Sequence, residues 1–392
     1  MSRFLFVVLP LAGHVNAPLA VAAALVERGH EVAWVGPESY LRPLVGPEVT
    51  VYPTGLRYYP AQADRGLVAI QTLWSKFVMP FAQFIRAAVE KAVEAFQPDV
   101  VAVDQHAVAG AVVATRHDLL WASLAPQCME LTRPLRTLPT VERWIRAQLD
   151  TIWARAGQTG PAPLDLRFSP HLVLGFTSPL LTGRDDLPPR CELVGPATHR
   201  RLNTPAFAWE RLAPDRRTVL VSMGTMSVDV ARGFFGRIAE ATAGLDVQVV
   251  LNCPPEAVDK PDGRTIVADR IPMLELLTRV DAVVGHAGLN TTVEALAHAR
   301  PLVLAPIRND QPVIANQVVA AGAGIRVRFA RATPAQLRAA VTAVLDEPAY
   351  AEGAARIRDS FPPEGGAVAA ANHLIALAHR GKESALRPDP AR

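Results

Sequence analysis

The chain of 392 residues is half hydrophobic and 20% charged, a balance that excludes extensive disorder; at roughly 150 residues per domain it calls for two or three units, with two the working number. A formal net charge of +3, with Lys and Arg scattered among Asp and Glu, excludes a grip on a nucleic-acid backbone. Cys128, Cys191 and Cys253 are far apart and lack metal-ligand spacing, so they are expected as isolated thiols in a reducing compartment.

Residues 4–10 form a short apolar run that leads to Gly13-His14 without a small-residue cleavage site; a buried first strand is expected there, not a signal peptide. A helix over 17–28 follows, with Pro18 in its first turn and Gly29 as its stop, then a second strand over 31–35. Strand, helix and adjacent strand in so short a span is the βαβ signature of a parallel, doubly wound sheet. The pattern returns as a strand over 99–103 and a helix over 107–116. Residues 54–95 and 127–156 carry Trp, Phe, Met and Leu among basic residues, with helical spacing at Phe77, Phe81, Phe84 and Ile85. These side chains either pack as core or, with Trp74 and Trp144, line an apolar cleft. Every long hydrophobic stretch is broken by Pro, Gly or charge before the roughly 18 residues of a bilayer span, so a cytoplasmic chain with no transmembrane segment is expected.

Residues 195–217 are rich in Pro, Arg and polar residues without periodicity, the composition of an interdomain linker. A new βα series then begins, with strands over 218–222, 247–251, 282–284 and 302–305. Residues 349–378 read as helical with an interruption at 362–366, and the chain from 381 as disordered. The expected organisation is α/β throughout: a Rossmann-like domain over 1–197, a linker over 198–217, a second Rossmann-like domain with C-terminal helices over 218–380, and a tail over 381–392. Two such parallel sheets leave a cleft where their carboxyl ends face each other, which suits a bisubstrate enzyme that closes to exclude water.

The stretch G-H-A-G-L-N-T-T-V-E-A-L at 285–296 follows a buried strand and opens a helix. Small residues let a ligand approach the backbone, and the N–H groups at the helix start suit a diphosphate. His286 can donate to a phosphate oxygen, Asn290, Thr291 and Thr292 are short donors, and Glu294 can accept from ribose hydroxyls; the alternative is an ordinary helix cap beside a loop histidine. Past the next strand, Asp310 and Gln311 offer an acceptor and a mixed donor/acceptor for vicinal sugar hydroxyls.

From 269 to 324 the chain resembles the nucleotide-sugar-binding region of the GT-B glycosyltransferases that decorate natural products, plant metabolites and carotenoids. R-I-P-M-L-E-L-L, G-H-A-G-L-N-T-T-V-E-A-L and N-D-Q-P-V-I-A-N-Q stand in that family's order and approximate spacing, and L-A-G-H-V-N-A-P-L-A looks like its first loop and helix. The resemblance covers most of the chain and is weak over 54–95. It implies two Rossmann-like domains facing across a cleft, with His286, Gly288, Asn290 and Thr291 at the diphosphate, Glu294 at the ribose, and Asp310 and Gln311 at the sugar. Arg270 stands where many relatives have a tryptophan under the nucleobase, Met273 would face the base edge, and Gly224 and Thr225 would lie on the opposite side of the phosphates.

In the first domain, His14 falls on the loop after strand one, and Asp104 at the end of another strand of the same sheet can orient its imidazole. In the resembling enzymes a histidine at this place removes the proton of an acceptor hydroxyl and an aspartate supports it. The resemblance therefore implies inverting transfer of a hexose, with glucose favoured by the Asp-Gln pair, from a UDP- or TDP-sugar to a hydroxyl of a small hydrophobic acceptor held by Trp74, Phe77, Phe81 and Trp144. No cofactor is expected beyond the co-substrate, and no metal, since Asp185-Asp186 lies in a Pro-rich loop; the protein is expected as a monomer or homodimer. A nicotinamide or flavin oxidoreductase would need G-x-G-x-x-G at the first turn, which reads P-L-A-G-H-V-N-A-P. A nucleotide-sugar epimerase of the same architecture and a non-catalytic helper are the competing readings; His14, Asp104, Asp310 and Gln311 together favour a working transferase.

Overall fold

The computed structural model describes residues 1–55, 64, 66–127, 129–183, 187–198, 204–224, 228–258 and 263–386. Cys128, Asp185, Asp186, Thr225, linker residues 199–203 and tail residues 387–392 lie outside the described residues.

The central strands are short, mostly apolar runs buried on both faces, as all-parallel sheets require, while the outermost ones are partly exposed. In the first sheet, β1 (Arg3–Val7), β2 (Glu31–Gly36), β3 (Thr50–Pro53), β4 (Val100–Asp104), β5 (Trp121–Ala125), β6 (Val173–Gly175) and β7 (Cys191–Leu193) pair in parallel in the order β3-β2-β1-β4-β5-β6-β7. Alternate residues feed two cores. Leu5, Val7, Val101 and Val103 meet the Met79–Phe96, Ala109–Arg116 and Pro139–Arg155 helices, while Phe4, Phe6, Val100 and Ala102 meet the first helix (Ala12–Val26) and the last (Gly366–Leu386). Burying a Val, Leu or Phe side chain stabilises by about 1.5–3 kcal/mol, and a one-residue slip would exchange the two faces, so packing fixes register.

The second sheet, β8 (Arg217–Ser222), β9 (Val247–Asn252), β10 (Thr265–Ala268), β11 (Ala282–Gly285), β12 (Leu302–Leu304) and β13 (Gly324–Arg326), runs in the order β10-β9-β8-β11-β12-β13. Val219, Val221 and Val284 pack on one face and Leu220, Val250 and Val283 on the other. Each sheet reverses its winding once, at β1/β4 and at β8/β11. Ligands of open α/β sheets bind at such switch points, outside the carboxyl ends of the strands.

Several sequence-based boundaries move. The first helix starts at Ala12, directly after the extended Leu11, so Gly13 to Asn16 form its opening turn where a loop was expected. Pro18 then sits in the second turn and leaves the His14 carbonyl without its helical N–H donor. The last helix runs to Leu386, so 381–386 are helical where a disordered tail was expected. That helix packs through Ala370, Leu374 and Leu377 against the first sheet's core and not, as the expected domain limits had it, with the second domain. Cys191 and Cys253 are free thiols. Among the described residues no helix is long and apolar enough to cross a membrane.

Candidate active site

The first switch point brings together side chains ninety residues apart in sequence. His14, in the first turn after β1, places Nδ1 2.7 Å from Oδ2 of Asp104 at the end of β4. The other oxygen of Asp104 accepts from the His106 backbone N–H at 2.9 Å. Asp104 is fully buried and His14 nearly so. An ionised carboxylate only accepts, so Nδ1 carries the proton and Nε2 keeps its lone pair, an assignment made from the hydrogen-bond network. Gln127 caps that lone pair, its amide nitrogen 3.0 Å from His14 Nε2. Asp104 is thus bound to one nitrogen of His14 and Gln127 occupies the other.

Next to this pair lies a buried ionic chain. His106 Nε2 is 3.4 Å from Glu130 Oε1, and the other Glu130 oxygen accepts from Arg167 at 2.8 Å. Arg167 also donates to Asp165 at 2.8 Å and Glu142 at 2.5 Å. Burial alone would raise the Glu130 carboxyl, but the charge of Arg167 and the bond to His106 outweigh it and hold the group down at about 2. For His106 burial acts downward, yet the hydrogen bond and charge of Glu130, with the charge of Asp104, leave it raised.

At the second switch point the Gly285-His286-Ala287-Gly288 turn after β11 leads into the Leu289–Ala297 helix, with Ala287 in the left-handed region at φ 66°. The His286 ring is approached closely by two glycines. A Cβ on Gly224 would stand 2.6 Å from the ring and one on Gly288 2.5 Å from it. Burial, with the charge of Arg308 and against the Ser222 main chain, lowers His286 to about 4, so it is neutral at physiological pH, with one ring nitrogen a donor and the other an acceptor. Its Nδ1 is buried and makes no hydrogen bond of regular geometry within the protein.

Asp310 precedes the Gln311–Ala320 helix and is buried, which pushes its carboxyl up to about 6 despite downward pulls from its own backbone, His14 and His106. Gln311 Oε1 accepts from the backbone N–H groups of Ile307 at 2.8 Å and Arg308 at 3.0 Å, so its amide nitrogen is the donor left for a ligand. Asn290 reaches across the cleft, its amide donating to the Gly13 carbonyl at 3.1 Å.

A single cavity of about 1020 Å³ joins the two halves, more than one drug-sized ligand needs. It is lined by His14, Phe77, His106 and Gln127 from the first domain and by Gly224, Arg270, Met273, His286, Gly288, Asn290, Thr291, Glu294, Asp310 and Gln311 from the second. Of the aromatic candidates only Phe77 lines it. Trp74 and Phe81 are fully packed and Trp144 lies against the same core, so helical spacing marked burial there and not a cleft. Sequence reasoning missed Gln127, Glu130 and Arg167, and also Asn252, whose amide donates to Ser222 Oγ at 3.1 Å on the cavity wall. None belongs to a local motif. His14, Asp104 and His106 also bring ligand-type atoms within 4.8 Å of one another, but the His14–Asp104 hydrogen bond gives them the geometry of a base and its orienting carboxylate.

Residues 237–377 match the family described as Erythromycin biosynthesis protein CIII-like, C-terminal domain. The whole chain is similar to 4'-demethylrebeccamycin synthase of Lentzea aerocolonigenes, 28% identical over 92% of this chain and 96% of the relative. It is also similar to the zeaxanthin glucosyltransferase of Pseudescherichia vulneris, 27% identical over 98% of this chain and 100% of the relative. The solved glycotransferase of kitacinnamycin superposes with a TM-score of 0.78 at 26% identity, covering 96% of this chain and 98% of that one. The fold is GT-B, and the chain resembles antibiotic and carotenoid glycosyltransferases along its whole length.

Proposed function

We propose that the chain is an inverting, metal-independent glycosyltransferase that moves a hexose, glucose by preference, from a UDP- or TDP-sugar to a hydroxyl of a small hydrophobic natural-product acceptor. The observation that carries the reading is the His14–Asp104 pair facing, across one cavity, a histidine closely approached by glycines at a helix start. One half can accept a proton and the other can hold a leaving anion.

In this mechanism the acceptor hydroxyl displaces Gln127 from His14 Nε2 and gives its proton to that nitrogen as its oxygen bonds to the anomeric carbon. Asp104 stabilises the imidazolium that forms. The anomeric C–O bond breaks on the opposite face, and its electron pair leaves with the nucleotide diphosphate. The N–H groups and positive dipole end of the Leu289–Ala297 helix, with a hydrogen bond from neutral His286, stabilise that charge without a cation. Thr291 lies at the same helix start, Glu294 faces the ribose, and Asp310 with the Gln311 amide holds sugar hydroxyls. Leu9, Leu11, Leu73 and Phe77 supply an apolar wall for the acceptor.

The test supplies UDP- or TDP-α-glucose and an aliphatic alcohol, cyclododecanol, in the presence of a chelator, and reads the product by NMR. A β-glucoside is expected. An α-glucoside would overturn inversion, a need for added magnesium would overturn the metal-free mechanism, and no transfer from either donor would overturn the glucosyl assignment.

A further inference from the structure

The mechanism leaves His106 unused, although it is the side chain beside the base. The rings of His14 and His106 are 5.6 Å apart between centroids. Asp104, which orients His14 through its side chain, is itself held by the His106 backbone N–H. Trp74 meets the His106 ring edge-on at 6.1 Å, and the Glu130–Arg167 chain fixes its Nε2. The imidazole is 2% exposed, and what exposure it has belongs to the wall of the cavity. With Nε2 turned to Glu130, a cavity ligand that hydrogen-bonds this ring does so at Nδ1.

We propose that His106 is a specificity-determining residue: while the reacting hydroxyl sits on His14 Nε2, the Nδ1–H of His106 donates to a carbonyl oxygen on the adjacent or next carbon, so the preferred acceptor is an α- or β-hydroxyketone. This rests on the transferase reading above and adds the acceptor's chemical class. A ring nitrogen of His14 and one of His106 lie within 4.8 Å of each other, a separation that two oxygens on adjacent or next carbons, each about 2.8 Å from its own nitrogen, can serve. A carbonyl can only accept, so recognition requires the doubly protonated His106. The groups facing it favour that form: Asp104 from β4, Glu130 from the Met129–Thr132 helix and Asp310 from across the cleft are anionic when ionised, against the cations Arg167 and, when protonated, His14. Arg167 is itself matched by Glu142 and Asp165 as well as Glu130.

The experiment compares kcat/KM for 2-hydroxycyclododecanone and cyclododecanol with one glucose donor. A hydrogen bond from a charged donor should favour the hydroxyketone by about tenfold or more. In His106→Phe, which keeps a ring against Trp74, the ratio should fall towards one. In the unaltered protein the ratio should fall as pH rises through the titration of His106, and Glu130→Gln should move that fall to lower pH. If either variant fails to fold, the pH series on the unaltered protein decides. A ratio near one at low pH, a ratio independent of pH, or a ratio retained in folded His106→Phe would each overturn the proposal. Transfer to cyclododecanol without preference sinks this inference alone, whereas transfer to neither probe overturns the transferase reading with it.

Discussion

Replacing Gly288 with alanine should weaken nucleotide-diphosphate binding while leaving the fold almost untouched. The backbone at Gly288, φ −68° and ψ 134°, is open to alanine, so the change adds only a methyl group, 2.5 Å from His286 Nε2 and 2.8 Å from Cε1. Non-bonded heavy atoms settle near 3.5–4.0 Å, so the ring must retreat by about 1 Å. Gly224 stands against the same Nε2–Cε1 end of the ring, which limits where that end can go, so the retreat takes the imidazole away from its aim. Losing a hydrogen bond to a charged phosphate costs roughly 1.5–3 kcal/mol, about ten- to a hundredfold in Kd. Isothermal titration with UDP and TDP in chelator measures this, with a denaturation curve to show that stability moves by about 1 kcal/mol or less. In a His286→Ala background the same substitution should have almost no effect on affinity, since the atoms it collides with are gone. Unchanged affinity in folded Gly288→Ala, or an equal loss in both backgrounds, would refute the contact.

His14→Ala should slow transfer to an aliphatic alcohol by about 10²–10⁴-fold with donor affinity nearly intact, and Asp104→Asn should slow it less; near-normal turnover by folded His14→Ala would end the assignment. Asp310, whose carboxyl is raised from 3.8 to about 6, contributes stability that is present below its unfolded value and lost as pH rises through about 6. Asp310→Asn should therefore stabilise the free protein at pH 7.5 by up to about 3 kcal/mol and weaken nucleotide-sugar binding more than binding of the bare diphosphate. Chemical denaturation without ligand reads the first effect, and no gain at pH 7.5 would contradict the burial argument. Arg167→Met should cost about 3–5 kcal/mol by stranding Glu130, and the double variant with Glu130→Gln should recover much of it; equal losses in single and double variants would show that the pair is not coupled.

Periodic and local features were legible in the sequence. The apolar strands β1, β4, β8, β9 and β11 and the glycine-flanked His286 turn are written in consecutive residues. The strands Val173–Gly175 and Cys191–Leu193 at one margin of the first sheet and Gly324–Arg326 at the edge of the second were not, because such short runs carry little pattern and their pairing depends on the neighbour already in place. Helical spacing at Phe77 and Phe81 identified buried side chains but could not say which borders a cavity. Glu130 and Arg167 are separated by 37 residues, and only the folded sheet puts them beside His106. The βα pattern put His14 and Asp104 at the ends of two strands of one sheet and family resemblance gave their expected roles; the structure supplies the distance between them together with Gln127, which no motif marks.

The last helix has a consequence for taking the protein apart. Between the linker and that helix the polypeptide leaves the first domain and comes back to it, since residues 369–378 are packed against the first sheet's core. Scission at the linker therefore cannot release two autonomous halves. An isolated N-terminal piece would expose the bed of Ala370, Leu374 and Leu377 on the helix that carries the base, and would need residues 366–386 supplied as a separate peptide or fused in permuted order. The two crossings also act as a double tether, which permits the sheets to rock about a line through both crossing points but opposes their sliding apart.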